Sequence, residues 1–189
     1  MRQFVLALAL IGVLLVALFA LVWAGGVSAA RRKPWPFEER VATGTWRLLV
    51  PRSIRNTRNP VAPTPDVLRR AREHWADHCA LCHGNDGSGE TTIGQRVYPR
   101  PLDLRAARAQ ALTDGELFFA IEEGIAWTAM PGWGTGTSEG EQETWALVAF
   151  VRHLPSITAD ELKEMDRLNP KAPVNSEREK EIDDFLKGK

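Results

Sequence analysis

The stretch "DHCALCHGNDGSG", residues 77–89, holds both cysteines of the chain, Cys79 and Cys82, with His83 directly behind the second. Two thiols three positions apart, fused to an imidazole and followed by a run of small residues, set the question that the rest of the sequence must answer. The chain has 189 residues, enough for one ordinary domain with appendages.

On either side of this motif the sequence predicts helices separated by loops. Thr64 before Pro65 is a helix start, and "PDVLRRAREHWADHC" places Val67, Ala71 and Trp75 on one face, so that this first helix delivers Cys79 at its end. "TDGELFFAIEEG" opens with Thr113 and Glu116 in capping-box spacing, buries Leu117, Phe118 and Ile121, and stops at Gly124. "SEGEQETWALVAFVRHLP" pairs Ser138 with Glu141 in the same way, carries a stripe of Leu147, Phe150, Val151 and Leu154, and ends before Pro155. No alternating strand pattern separates them. An all-α domain over residues 64–156 is expected, with a small core that calls for a staple.

Residues 1–30 have a different character. From Phe4 to Ala24 the sequence carries no charge, and at 1.5 Å per residue this run spans about 31 Å, the thickness of a bilayer core. It is longer than the apolar part of a cleavable signal, which favours a retained transmembrane anchor; "GVSAA" at 26–30 has small residues suited to cleavage and keeps a secretory signal as the alternative. Arg31, Arg32 and Lys33 outweigh Arg2, so charge alone would put the following segment in the cytoplasm.

Residues 31–63 read as a basic, Pro-rich connector. Residues 31–60 carry eight basic side chains against Glu38 and Glu39, while residues 65–157 carry 8 Arg against 13 Asp and Glu. The prolines at 34, 36, 51, 60, 63 and 65 are expected to prevent any long helix there. The positive charge suits an anionic lipid surface, and a solvated linker partly packed on the domain fits equally well. Residues 157–189 form a tail in which Thr158 with Glu161 and Ser176 with Glu179 repeat capping-box spacing, suggesting two short helices; Ile182, Phe185 and Leu186 would stripe the second.

Three chemistries compete for Cys79, Cys82 and His83. A structural zinc wants four ligands, and His74, His78 and His153 offer no second pair away from the local helix. A thioredoxin-like dithiol needs a βαβ setting that is missing. Covalent haem attachment needs what is present: two thiols for two vinyl groups and an imidazole next in sequence to reach the iron. A second axial ligand is then required. Of Met1, Met130 and Met165, Met130 stands in "GIAWTAMPGWGTG", where Pro131 favours an extended backbone and glycines allow close approach. Met165 lies in a charged helix beyond the domain. His153 is the fallback ligand, although a place near the end of the last helix also explains it, and His74 and His78 are expected to face solvent.

Over residues 65–155 the chain resembles the class I monohaem c-type cytochromes, particularly bacterial membrane-anchored forms. "CALCH" matches the attachment motif, Ala71 and Trp75 resemble the small and aromatic residues of the family's first helix, "LVAFVRHLP" its last helix, and "AMPGWG" its distal methionine loop. "YPRPLDL" resembles the loop whose proline carbonyl accepts the proximal histidine's ring N–H, with Pro99 and Pro101 as the two candidates. The resemblance implies an all-α wrap around one covalent haem c, with iron held by His83 and Met130. It also implies haem on the outer side of the cytoplasmic membrane, so the domain should be periplasmic and anchored to the inner membrane despite Arg31, Arg32 and Lys33. Two cysteines, both consumed by haem, suit that compartment.

The expected function is electron transfer between redox protein partners, by a standalone tethered carrier or as the cytochrome subunit of a larger membrane oxidoreductase. Catalysis, a small-molecule substrate and nucleic acid are not expected. A haem sensor or peroxidase would need an open distal site.

Overall fold

The computed structural model describes residues 2–24, 30 and 32–169. Among these, the order is α1 (Arg2–Ala24), α2 (Pro36–Leu49), α3 (Arg52–Arg55), α4 (Pro65–His74), a π-turn (Trp75–Cys79) and α5 (Ala80–His83). A 3-10 turn (Gly94–Arg96), α6 (Ala107–Gln110), α7 (Asp114–Glu122), α8 (Ser138–His153), a second 3-10 turn (Leu154–Ser156) and α9 (Ala159–Leu168) complete it, with no strand among the described residues. The small residues at 26–29 and the second tail helix expected from Ser176 lie outside the described residues.

The helix starts follow from side-chain caps that satisfy otherwise orphaned N–H groups. Thr64 accepts from the Val67 N–H, and Thr113 and Thr158 form reciprocal boxes with Glu116 and Glu161. For α8 the cap is Thr137, which accepts from the Gly140 N–H, and Ser138 is the first helical residue; the expected Ser138–Glu141 box is not formed.

The first helix does not end at Cys79: helical backbone continues through a widened turn, in which the Ala80 N–H reaches the Trp75 carbonyl, and on through α5 to His83. One residue added to a helical turn rotates the next helical segment by about 100° around the axis, so Trp75 can stay in the core while the attachment segment takes its own facing. The connector also contains a long helix after all. Pro36 and Pro51 leave the residues between them free of proline, and Pro36 stands at the first helical position, where a missing N–H costs nothing.

α4 crosses α8 to make the core. Ala71 and Trp75 are buried in one cluster with Leu147, Val148, Phe150, Val151 and Leu154, and the Trp75 and Phe150 rings meet edge to face with centroids 5.5 Å apart. α7 joins through Phe118, stacked on Trp145 at 4.2 Å, with Leu117 buried beside it.

Packing crosses both ends of the expected domain. On the N-terminal side Arg47 donates twice to Glu116, at 2.8 and 3.1 Å, and Asn59 donates to the Trp145 carbonyl at 2.8 Å. On the C-terminal side α9 seats Met165 in the core, while Arg72 bridges to Glu161 at 2.7 Å and to Glu164 at 2.6 Å. Met165 is therefore a core residue, contrary to its expected place beyond the domain. α1 stands apart as a fully exposed apolar helix, with a mean hydropathy of 3.2 over its best window, long enough to cross a membrane.

Candidate functional site

Cys79, the last residue of the π-turn, and Cys82 and His83 at the end of α5 lie on one short helical run. Gly84 caps it through its N–H to the Ala80 carbonyl at 2.8 Å, and the Trp75 indole N–H donates to the Gly84 carbonyl at 3.0 Å. The His83 ring lies 5.7 Å from the Trp75 ring, so the core aromatic that pairs α4 with α8 also supports the imidazole.

The glycine-rich run then folds back over the motif. Gly89 donates to the His83 carbonyl at 2.7 Å, and the Thr91 hydroxyl donates to the Leu81 carbonyl at 2.8 Å while accepting from the Gly94 N–H at 2.8 Å. A Cβ on Gly94 would stand 2.5 Å from the Gly89 carbonyl oxygen and 2.6 Å from that of Cys82, so only glycine fits there.

Burial sets the electrostatics. It pushes the His83 imidazole down to about 4, which keeps it neutral at neutral pH, the form that ligates metal. It pushes the Cys79 thiol up to about 12 and raises Cys82 as well. The His83 Nδ1 atom is buried with no hydrogen-bond partner. The expected proline bond is thus not formed here: Pro99 is exposed, and the Pro101 carbonyl lies against Gly89 instead, 2.9 Å from where a Cβ would stand.

Met130 sits half-buried in a loop tied to the end of α7. Its N–H donates to the Thr128 hydroxyl at 3.0 Å and its carbonyl accepts from the Ile125 N–H at 3.1 Å. The Trp133 and Gly134 N–H groups donate to the Ile121 and Glu122 carbonyls at 2.9 and 3.0 Å. Gly124, at φ 71°, packs so closely that a Cβ would be 2.6 Å from the Pro131 carbonyl carbon. The loop meets the attachment segment through Trp133, whose ring is 5.2 Å from that of His78.

The other histidines are engaged elsewhere. His153 Nε2 lies 3.0 Å from both Glu161 carboxylate oxygens, His74 is half-buried with its ring 5.1 Å from that of His78, and His78 is exposed. Among the described residues no group of three or more His, Cys, Asp or Glu is placed to hold a metal ion. Sequence reasoning missed Thr91 and the Trp133–His78 contact. Neither carries a signal, because both depend on where a loop returns.

Residues 66–151 match the family model described as cytochrome C oxidase, cbb3-type, subunit III, a match just under half the chain in length. They form a c-type cytochrome domain, and its group is a covalent haem c. Such a domain is an electron-transfer module. A chain of the Kuenenia stuttgartiensis reducing HAO-like protein complex is similar in structure, with 20% identity and a TM-score of 0.44, over 50% of this chain and 46% of that one. The chain thus spans about half the length of that structure. No curated protein matches it.

The residues present fit the haem. Two protonated thiols can each add across a vinyl group, and a half-buried neutral imidazole follows directly, held at a helix end.

Proposed function

We propose that this chain transfers electrons on the outer face of a membrane to which α1 anchors it, with iron held by His83 and Met130. The observation that carries the reading is His83: half-buried with its Nδ1 atom shut off from solvent, neutral, backed by Trp75, and presented directly after the two thiols. Bound haem supplies a one-electron iron couple. The chain's part is to hold the ligands and exclude water. Cys79 and Cys82 fix the macrocycle, and Trp75 with Gly84 fixes the orientation of the imidazole. The main-chain bonds of the 125–134 loop hold Met130 with its neutral thioether, and His/Met ligation sets a higher potential than His/His. Partners are then redox proteins, a quinol-linked or dehydrogenase donor and an oxidase or reductase acceptor.

The docked connector favours work as the cytochrome subunit of a larger membrane oxidoreductase over free swinging on a tether. Glu116 is fully buried beneath Arg47, so α2 and the haem domain move together. Mild-detergent purification tests this: co-purifying redox subunits support the subunit reading, and a monodisperse single chain opposes it. The haem itself is tested by Cys79→Ala with Cys82→Ala, which should abolish haem staining of the denatured protein. Met130→Ala should remove the weak thioether-to-iron band at the red end of the visible spectrum; an unchanged spectrum overturns the Met130 assignment.

A further inference from the structure

α2 carries an apolar stripe that the haem domain does not cover. Phe37, Val41 and Leu48 fall within about 40° of one another on the helical wheel and are 77%, 50% and 79% exposed. The opposite side of α2 is clamped to the domain. Arg108 bridges to Glu39 and donates to the Thr43 hydroxyl at 2.9 Å, and Arg47 closes on Glu116. Domain docking therefore uses the polar face and turns the apolar one outward.

We propose that α2 lies in the membrane interface, its Phe37–Val41–Leu48 stripe among lipid acyl chains and its polar face clamped to the haem domain. This rests on the reading of α1 as a retained anchor. Three observations select lipid as the occupant. Residues 25–35 tether the stripe directly to α1, so the bilayer is the apolar phase at highest local concentration. Exposed Lys33, Arg40 and Arg52 flank the stripe and suit anionic headgroups. Trp35, exposed at the start of α2, is the residue type that settles at headgroup level. The arrangement fixes the orientation of the haem domain to the membrane, which a flexible tether cannot do.

The test uses the full-length haem protein in vesicles of zwitterionic and anionic phospholipid, with nitroxide labels on cysteines placed singly at Phe37, Val41, Leu48, Val13 in α1, and Lys163 in α9. Cys79 and Cys82 are blocked by haem. Collision with oxygen, which partitions into lipid, is compared with collision with a water-soluble nickel chelate. The expected result is loss of chelate access at 13, 37, 41 and 48, and full access at 163. Shielding at 13 with chelate access at 37, 41 and 48 overturns the inference and leaves the anchor reading standing. Chelate access at 13 overturns the anchor reading and the inference with it. Shielding of the stripe with dipolar broadening that survives dilution into excess lipid means that a second copy covers it, and overturns the lipid assignment.

Discussion

Met130 and Met165 carry the same thioether in opposite settings. Met165 is completely buried on α9, in one cluster with Trp75, Phe150 and Leu154. Its helix is locked to the domain by ion pairs from Arg72 and by a hydrogen bond that the Asn85 side-chain amide donates to the Asp166 carboxylate at 2.8 Å. Met130 is half-buried in a loop whose course is set by main-chain bonds to the end of α7. Where side chains make the structure, methionine is a gap filler; where the backbone makes it, the thioether has no packing duty and can serve as a ligand. The proposed site would rest on this division, with a side-chain core supporting His83 and a backbone-held loop carrying Met130.

The largest effect is expected at Trp75, which serves the core and the site together. Trp75→Ala should cost about 3–5 kcal/mol by removing the Phe150 contact, the support of His83 and the bond to Gly84, read by denaturant unfolding. Met165→Ala should cost about 2–5 kcal/mol and leave the haem spectrum unchanged. A change of axial-ligand spectrum in that variant would break the comparison.

Next comes Glu116. Burial alone would raise its pKa, but the Arg47 hydrogen bonds and the Thr113 N–H outweigh this and hold it below the ordinary carboxylate value. Its folded value lies below the unfolded one, about 4.3, so its contribution is complete above that pH and is lost as pH falls through the folded value. Glu116→Gln should cost about 1–3 kcal/mol at neutral pH and flatten the acid limb of the stability curve. An equally steep acid limb in the variant would refute this account of the α2 clamp. Glu38, held down to about 2 chiefly by Arg32 and then by Tyr98, adds to acid lability in the same direction.

The smallest stability effect is expected at Met130. Met130→Ala should cost about 1 kcal/mol or less, because the loop is tied by its backbone, while changing the spectrum completely. A loss comparable to that of Met165→Ala would show that Met130 is a packing residue, and the distinction between the two methionines would fall.

Much of this is legible locally. The Thr64, Thr113 and Thr158 caps, the α4 and α8 faces and the Cys79–Cys82–His83 motif each depend on residues within a turn or two of one another, so spacing alone reveals them. The cap of α8 falls one residue earlier than spacing suggests, because Thr137 and Ser138 both suit the position and only backbone geometry chooses between them. The π-turn at Trp75–Cys79 carries no local signature; it comes from holding Trp75 in the core while the motif faces elsewhere.

By itself the sequence determined an all-helical chain with an apolar first segment, a motif for covalent haem and one methionine in a glycine-bounded loop, since composition and short-range periodicity are properties of the chain alone. Tertiary structure alone decided that α2 is clamped by Glu116 and Arg108, that α9 completes the core through Met165, and that Trp133 brings the Met130 loop to His78. Those contacts join residues between about 55 and 95 positions apart, and side chains at such separation meet only when the intervening helices have packed.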